Sequence, residues 1–390
     1  MNLQDRFFNS LISFLLGLVL SSTIYWGKKI FALIKNWYHV RQLRKSDIIC
    51  DEHLHIYSIE NAIPHYAEIN VFTSECKLFV EVPKEFVKSM PSGFEFNNNI
   101  SFNGKDNFID LVDQTGIYNL ADLIKQHSAI VAKDFISGNK GYKFNGGKYG
   151  VLNVDIGMRK GINEMPIATI TTFETDFFTY RVFYSIYDYL RNINHPISQI
   201  NTIQELLKYN CFICSIGINA AMIVNSEKYS KEEILFTKRS SNVINHRNMF
   251  SVSMIEGVSL LDYSNTTGKI SLENCLFRGI SEEIGISEDY HRKNNTKYTL
   301  NDIFISKETF DFGITCTVKI NGIFSKEIEA MIAKDRKFEI DKVIFVPLIK
   351  KEILEFVRER NFVPQSLFTL NTYFIRKYGY SITIPRKKKE

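Results

Sequence analysis

The chain has 390 residues, 45% of them apolar, which excludes global disorder and suffices for one large or two small packed domains. Its net charge of +5 is local: Lys28, Lys29, Lys35, Arg41, Arg44 and Lys45 follow an apolar N-terminal stretch, and Arg386, Lys387, Lys388 and Lys389 close the chain, leaving the remainder net acidic. That excludes a broad surface for a nucleic-acid polymer and places the basic residues where they would meet anionic lipid.

Residues 7–26, FFNSLISFLLGLVLSSTIYW, are twenty residues without a charge. As a helix they span about 30 Å, the thickness of a bilayer core. Tyr25 and Trp26 stand at the edge, where amphipathic rings prefer the interface. A cleaved signal peptide would carry its positive charge before a shorter apolar core. Here the charge follows, so a single-pass anchor in the cell inner membrane is expected, with the C-terminal body cytoplasmic. Ser13, Gly17 and Ser21 fall on one helix face, a pattern that suits membrane-helix self-association and that chance also produces. Residues 30–40, IFALIKNWYHV, continue as a basic, partly amphipathic neck.

Residues 47–210 read as an α+β region. AEINVFT and KLFVEVP within 47–90 have the alternation of strands, as do GVLNVDIGM and IATITTF; residues 119–136 and 183–193 have the helical period. The loop 138–150, GNKGYKFNGGKYG, offers Lys140, Lys143 and Lys148 for phosphate and Tyr142 and Phe144 for stacking on a base. The same composition also suits a hairpin with solvated lysines, and it does not match a Walker loop. Six scattered cysteines, with Cys211 and Cys214 the only close pair, suit reduced thiols buried in a strand.

From 211 onward, strands are expected over 214–225, 232–240 and 249–261, then a helix over 271–285. Ser271 is its N-cap, Leu272, Cys275, Leu276 and Ile280 its apolar stripe, and Gly285 its C-cap. Strands YTLNDIFISK, FDFGITCTVKING and DKVIFVPL follow, with a helix over 366–379. Within this order Arg278, Gly279, Ile280, Ser281, Glu282, Glu283, Ile284, Gly285 and Ile286 resemble the second half of the Nudix signature, Arg-Glu-apolar-any-Glu-Glu-any-Gly-apolar. The fold implied is α/β: an N-terminal single transmembrane helix (1–46 with the neck), a cytosolic α+β region (47–210), and a Nudix-like mixed-sheet domain (211–390).

The departures bear on chemistry. Gly279 stands where the family has a metal-binding Glu, and Ile270 where it has the Glu eight residues before the Arg. Ser264 takes the place of the leading Gly, for which Gly257 is the nearest substitute if the loop carries seven extra residues. Hydrolysis in such a site needs clustered carboxylates around Mg²⁺. Glu282 and Glu283 alone would hold at most one weakly bound, hydrated ion, so no cofactor is firmly expected. Arg278 and Glu282 also have the spacing of a plain helical ion pair.

A single anchor joined to a degenerate Nudix region resembles the transmembrane–Nudix effectors of CBASS-type bacterial antiphage systems. The resemblance implies a receptor for a cyclic oligonucleotide, with Lys140, Tyr142, Lys143, Phe144, Lys148 and Arg278 as candidate contacts. It also implies a homo-oligomer that disrupts membrane lipid and kills the infected cell. The alternative is a membrane-tethered, Mg²⁺-dependent Nudix hydrolase of nucleoside diphosphate derivatives.

Overall fold

The structure is a computed structural model and describes residues 26–27, 29–31, 33–34, 54–56, 68–89, 110, 112–137, 145–157, 167–200, 202–226, 232–243 and 245–378. The apolar stretch 7–25, with Ser13, Gly17 and Ser21, lies outside them. Among the described residues no helix is long and apolar enough to cross a membrane. The described neck residues are helical, with Trp26, Ile30, Phe31, Leu33 and Ile34 all exposed.

Strand β1 (Leu54–Ile56) is followed by a three-stranded sheet of β2 (Glu68–Lys77), β3 (Gly147–Gly157) and β4 (Ile167–Asp176), in the order β2-β4-β3. Strand β2 runs parallel to β4, and β3 runs antiparallel. The two strand signals expected within 47–90 thus yield one long strand; Leu78–Val82 continues past it, buried at alternate positions, with the Leu78 N–H donating to the Glu174 carbonyl at 2.8 Å and the Val80 N–H to Thr179 Oγ1 at 2.9 Å. Helices α1 (Leu120–Ser137) and α2 (Phe177–Asn192) pack against each other; α1 has the expected length, shifted by one residue, and α2 begins six residues before the expected 183. The N-cap of α2 is Asp176, which accepts from the Thr179 N–H at 2.7 Å and is held by the Asn145 side chain at 2.9 Å.

The larger sheet forms because its central strand, β5 (Ile216–Asn225), is apolar on both faces and so must be covered on both. Chain order continues with β6 (Glu232–Arg239), β7 (Phe250–Val252), β8 (Met254–Gly257) and a small hairpin of β9 (Tyr263–Ser264) and β10 (Lys269–Ile270). Then come α3 (Leu272–Gly279), α4 (Glu288–Lys293), β11 (Lys297–Ser306), β12 (Phe312–Phe324), α5 (Ser325–Ala330), α6 (Arg336–Glu339), β13 (Ile340–Pro347), α7 (Lys350–Arg358) and α8 (Pro364–Tyr378). The sheet order is β1-β11-β12-β5-β6-β13, with β8 added to β5 and β7 to β6. The β12–β5 pair is parallel and the other pairs antiparallel, so the sheet is mixed.

Alternation along β6 sorts the covering helices. Leu235 shares a core with Cys275, Leu276 and Ile280 of the 272–284 segment, while Ile234 and Phe236 share one with Phe356 of α7 and Phe374 of α8. The first of these cores runs on without a break into the smaller sheet. Tyr187 of α2 stacks near Phe310 at 4.7 Å and donates to the Lys307 carbonyl at 2.7 Å. Strand β1, from the segment before residue 211, is an edge strand of the larger sheet. Cys211 and Cys214 are buried and free, as expected. They sit in and just after a 3₁₀ turn before β5 rather than in a strand, and burial raises both thiols.

Candidate functional site

The segment 271–285 folds by its own local chemistry. Ser271 caps α3 by accepting from the Asn274 N–H at 3.1 Å, and Leu272, Cys275, Leu276 and Ile280 are all buried. At about 1.5–3 kcal/mol for each large apolar side chain, that stripe fixes the helix on the sheet. After Gly279 the helix widens into a π turn, Ile280–Ile284, a feature often found at functional sites. It stops at Gly285, whose φ of +94° is left-handed and favours glycine. Behind α3, His291 of α4 stacks flat on Phe277 at 4.5 Å, and burial lowers its pKa to about 4.

Arg278 is the centre of the site. Its Nε and Nη2 form a fork onto Asp262 at 3.0 and 2.9 Å. Its Nη1 donates to Glu256 at 3.0 Å and to Glu282 at 3.1 Å, and its Nη2 also donates to the Gly257 carbonyl at 2.9 Å. All five N–H donors of the guanidinium are thus engaged within the protein. Burial works against the charge, but the hydrogen bonds to Asp262 and the charge of Glu256 hold Arg278 well above its ordinary range. The Arg278–Glu282 spacing is realised as an ion pair, one of three carboxylate pairs the arginine makes.

Two carboxylates that the sequence reading did not single out explain the departures from the signature. Asp262 lies sixteen residues before Arg278, and the β9–β10 hairpin occupies the intervening loop. An acidic partner for Arg278 is therefore present on the other side of the hairpin in sequence. Glu256, immediately before that glycine, lies against Gly279: a Cβ at 279 would come within 2.7 Å of Glu256 Cβ and 2.9 Å of Met254 Sδ. The space that a glutamate at 279 would need is filled from the sheet. The available signal was the run EGVSLLD, with its two acidic residues flanking Gly257 at near-signature spacing; the hairpin obscured it.

Below Arg278 the carboxylates crowd. Glu283 is 3% exposed, and its Oε1 has no hydrogen-bond partner. Burial, then the charges of Glu339 and Glu256, push its pKa well up against the pull of Arg239. Burial and Glu256 raise Glu339 of α6 to about 7. Burial likewise raises Glu256, despite Arg278 and Lys148. Among the described residues no group of three or more His, Cys, Asp or Glu side chains is arranged to hold a metal ion. Glu282, one of the two expected Mg²⁺ ligands, is spent on Arg278 and on Lys334 at 3.5 Å. The residues do not fit a catalytic metal constellation.

Of the remaining candidate contacts, Lys140, Tyr142, Lys143 and Phe144 lie outside the described residues. Lys148 is in β3 and half-buried, with its ammonium 5.9 Å from the Tyr180 ring. Its Nζ would lie 2.7 Å from a Cβ at Gly257, and β3 makes a bridge from Lys148 to Ser259. Lys148 and Arg278 therefore both lie against the loop at Gly257, where the smaller sheet touches the larger.

No family model matches the chain, and no curated protein does. Solved structures that are similar in part include a mutT/nudix family protein from Listeria innocua, at 14% identity, covering 42% of this chain and 92% of that one, with a TM-score of 0.29. The NUDIX domain of Shewanella oneidensis NrtR complexed with ADP ribose is 15% identical over 41% of this chain and 86% of that one, with a TM-score of 0.25. A MutT/nudix family protein from Enterococcus faecalis is 14% identical over 34% and 43%, with a TM-score of 0.23.

Proposed function

We propose that the chain is a membrane-anchored receptor and effector of a bacterial, CBASS-type antiphage system. Its body binds a cyclic oligonucleotide, the bound form self-associates through the anchor, and the gathered helices breach the inner membrane and kill the cell. One observation carries the receptor half of this reading: the box around Arg278 is closed on itself. Every guanidinium donor has an internal partner, and the position of the missing glutamate is packed by Glu256 and Met254. Such a box holds a loop in shape and leaves binding to the groups around it. Lys148 is the candidate contact adjoining it, and 138–144 leads into the same strand. The uncharged stretch 7–26 with its basic neck supports the membrane half.

Arg278 enters as the residue that shapes the Gly257–Asp262 loop, since its donors are already in use. The alternative, a tethered hydrolase, draws on the unpartnered Oε1 of buried Glu283. Calorimetry of the detergent-solubilised full chain against cyclic di- and trinucleotides, with product analysis of ADP-ribose incubated with Mg²⁺, separates the two. Saturable binding without turnover is expected. Turnover abolished by Glu282→Gln with Glu283→Gln would overturn the receptor reading. An absence of any binding, with intact membranes in infected cells carrying the cognate operon, would overturn the effector reading.

A further inference from the structure

A cavity of about 350 Å³ opens on the α3 face of the larger sheet, lined by none of the residues of the box. Its lining comes from Ser226 at the end of β5, Glu233 of β6, Lys326 and Glu329 of α5, and Lys342 and Phe345 of β13. The cavity follows β6 and β13, where its lining residues Lys342 and Val343 pair with Lys238 and Thr237, and none of the carboxylates around Glu283 lines it.

Two lining groups are anomalous. Glu233 is 7% exposed and Ser226 is 5% exposed, yet Glu233 Oε2 and Ser226 Oγ have no hydrogen-bond partner. A buried carboxylate oxygen and a buried hydroxyl left unpaired are costly, and native proteins pair such groups. A cavity beside them offers the place for the missing partner. A carboxylate oxygen accepts only, so the partner must present hydrogen-bond donors. A carboxylate is the group that commonly takes ribose hydroxyls in nucleotide sites. The other lining fits the rest of a nucleotide. Phe345 gives an apolar wall, and Lys326 and Lys342 are exposed cations on the rim, suited to phosphate. Glu329 on the same rim weighs against a ligand of several negative charges.

We propose that this cavity is a ribonucleoside monophosphate site, with the ribose hydroxyls on Glu233 and Ser226 and the phosphate on Lys326 and Lys342. It stands apart from the cyclic-oligonucleotide reading, since neither Lys148 nor the Arg278 loop takes part.

The test is equilibrium binding of AMP and of 2′,3′-dideoxy-AMP to the solubilised full chain. AMP should bind saturably and the dideoxy compound about tenfold or more weaker, the loss expected for hydrogen bonds to a charged group. Glu233→Gln should bring AMP down to the dideoxy level, Ser226→Ala should give a smaller loss, and Lys342→Ala should weaken both compounds alike. Circular dichroism of each variant separates loss of binding from loss of fold, and Lys342→Ala, at an exposed position, keeps the test open if Glu233→Gln unfolds. Absence of saturable AMP binding at millimolar concentration, or equal affinity for the two compounds, overturns the proposal. Either result leaves the cyclic-oligonucleotide reading standing, because that ligand is assigned to a different place.

Discussion

Replacing Arg278 by Met tests whether the box is a neutralised ion cluster. The side chain is of similar length and apolar, so the α3 backbone is expected to survive. What is lost is the charge facing three carboxylates: Asp262 at 2% side-chain exposure, Glu256 at 19% and Glu282 at 27%. Removing one partner of a buried ion pair costs about 3–5 kcal/mol, mostly because the other charge remains buried. Asp262 is the most buried of the three by side-chain exposure, and Glu256 is already raised by burial against the pull of Arg278 and Lys148, so the loss of Arg278 pushes Glu256 further up. A carboxyl raised in the folded state contributes stability that is fully present below the unfolded pKa and lost as pH rises through the folded pKa. The deficit of the variant should thus be full at pH 7.5 and shrink as pH falls toward about 5. Urea denaturation followed by circular dichroism, at both pH values, measures it. Adding Asp262→Asn to the variant should recover part of the loss at pH 7.5. A deficit below about 1 kcal/mol, or one independent of pH, would refute the cluster argument.

Glu339→Gln should raise the thermal midpoint at pH 8 and change little at pH 4.5. The native carboxyl is held near 7, so its proton is lost on unfolding in the window between about 4.5 and 7, at a cost of about 3 kcal/mol above it. Gly279→Glu, which restores the signature, should destabilise by about 1–3 kcal/mol because its Cβ meets Glu256 and Met254. It should create no Mg²⁺-dependent hydrolysis of ADP-ribose, and a gain of turnover would contradict the packed-box account. Gly17→Leu, which keeps the anchor apolar but widens its small-residue face, should lower oligomeric mass in detergent and weaken killing while sparing ligand affinity.

Much of the fold was legible because its signals are local. The period of 119–136, the apolar runs of 214–225 and 310–322, the Ser271 cap and the Gly285 stop each depend on residues close in sequence. What sequence could not supply were pairings that depend on distant residues. Strand β1 is three residues long and is a strand only because β11 offers an edge. Asp262 and Glu256 were hidden because their contacts with Arg278 join residues sixteen and twenty-two apart, with a hairpin between. Helix α7 alternates charge and hydrophobe strongly enough to be read, and was passed over for the longer α8. Lys148 was chosen from its loop as a phosphate ligand. That its strand carries it to the Gly257 loop follows from the packing of two sheets, which no single segment encodes.

That packing bears on how a binding event in the body could be felt at the proposed anchor. After β1, which joins the larger sheet, the smaller sheet is the next described structure in sequence from the neck, and its β2 strand pairs along β4, which pairs along β3. Strand β3 then places Lys148 on the loop that Arg278 holds through Gly257 and Asp262. A phosphate that drew Lys148 away would remove a cation from beside the buried Glu256, whose pKa the ammonium helps to hold down. Arg278 would then carry more of that charge, and the loop would feel the change. A ligand moves such an equilibrium only by the difference in its affinity for the two arrangements. The coupling therefore has to work in both directions: if ligand promotes assembly through Lys148, forced assembly must tighten ligand by the same factor. In the proposed receptor, a metal in the box would tie those carboxylates to the ion, whereas closure by Arg278 would leave the balance of Lys148, Glu256 and Arg278 open to the ligand.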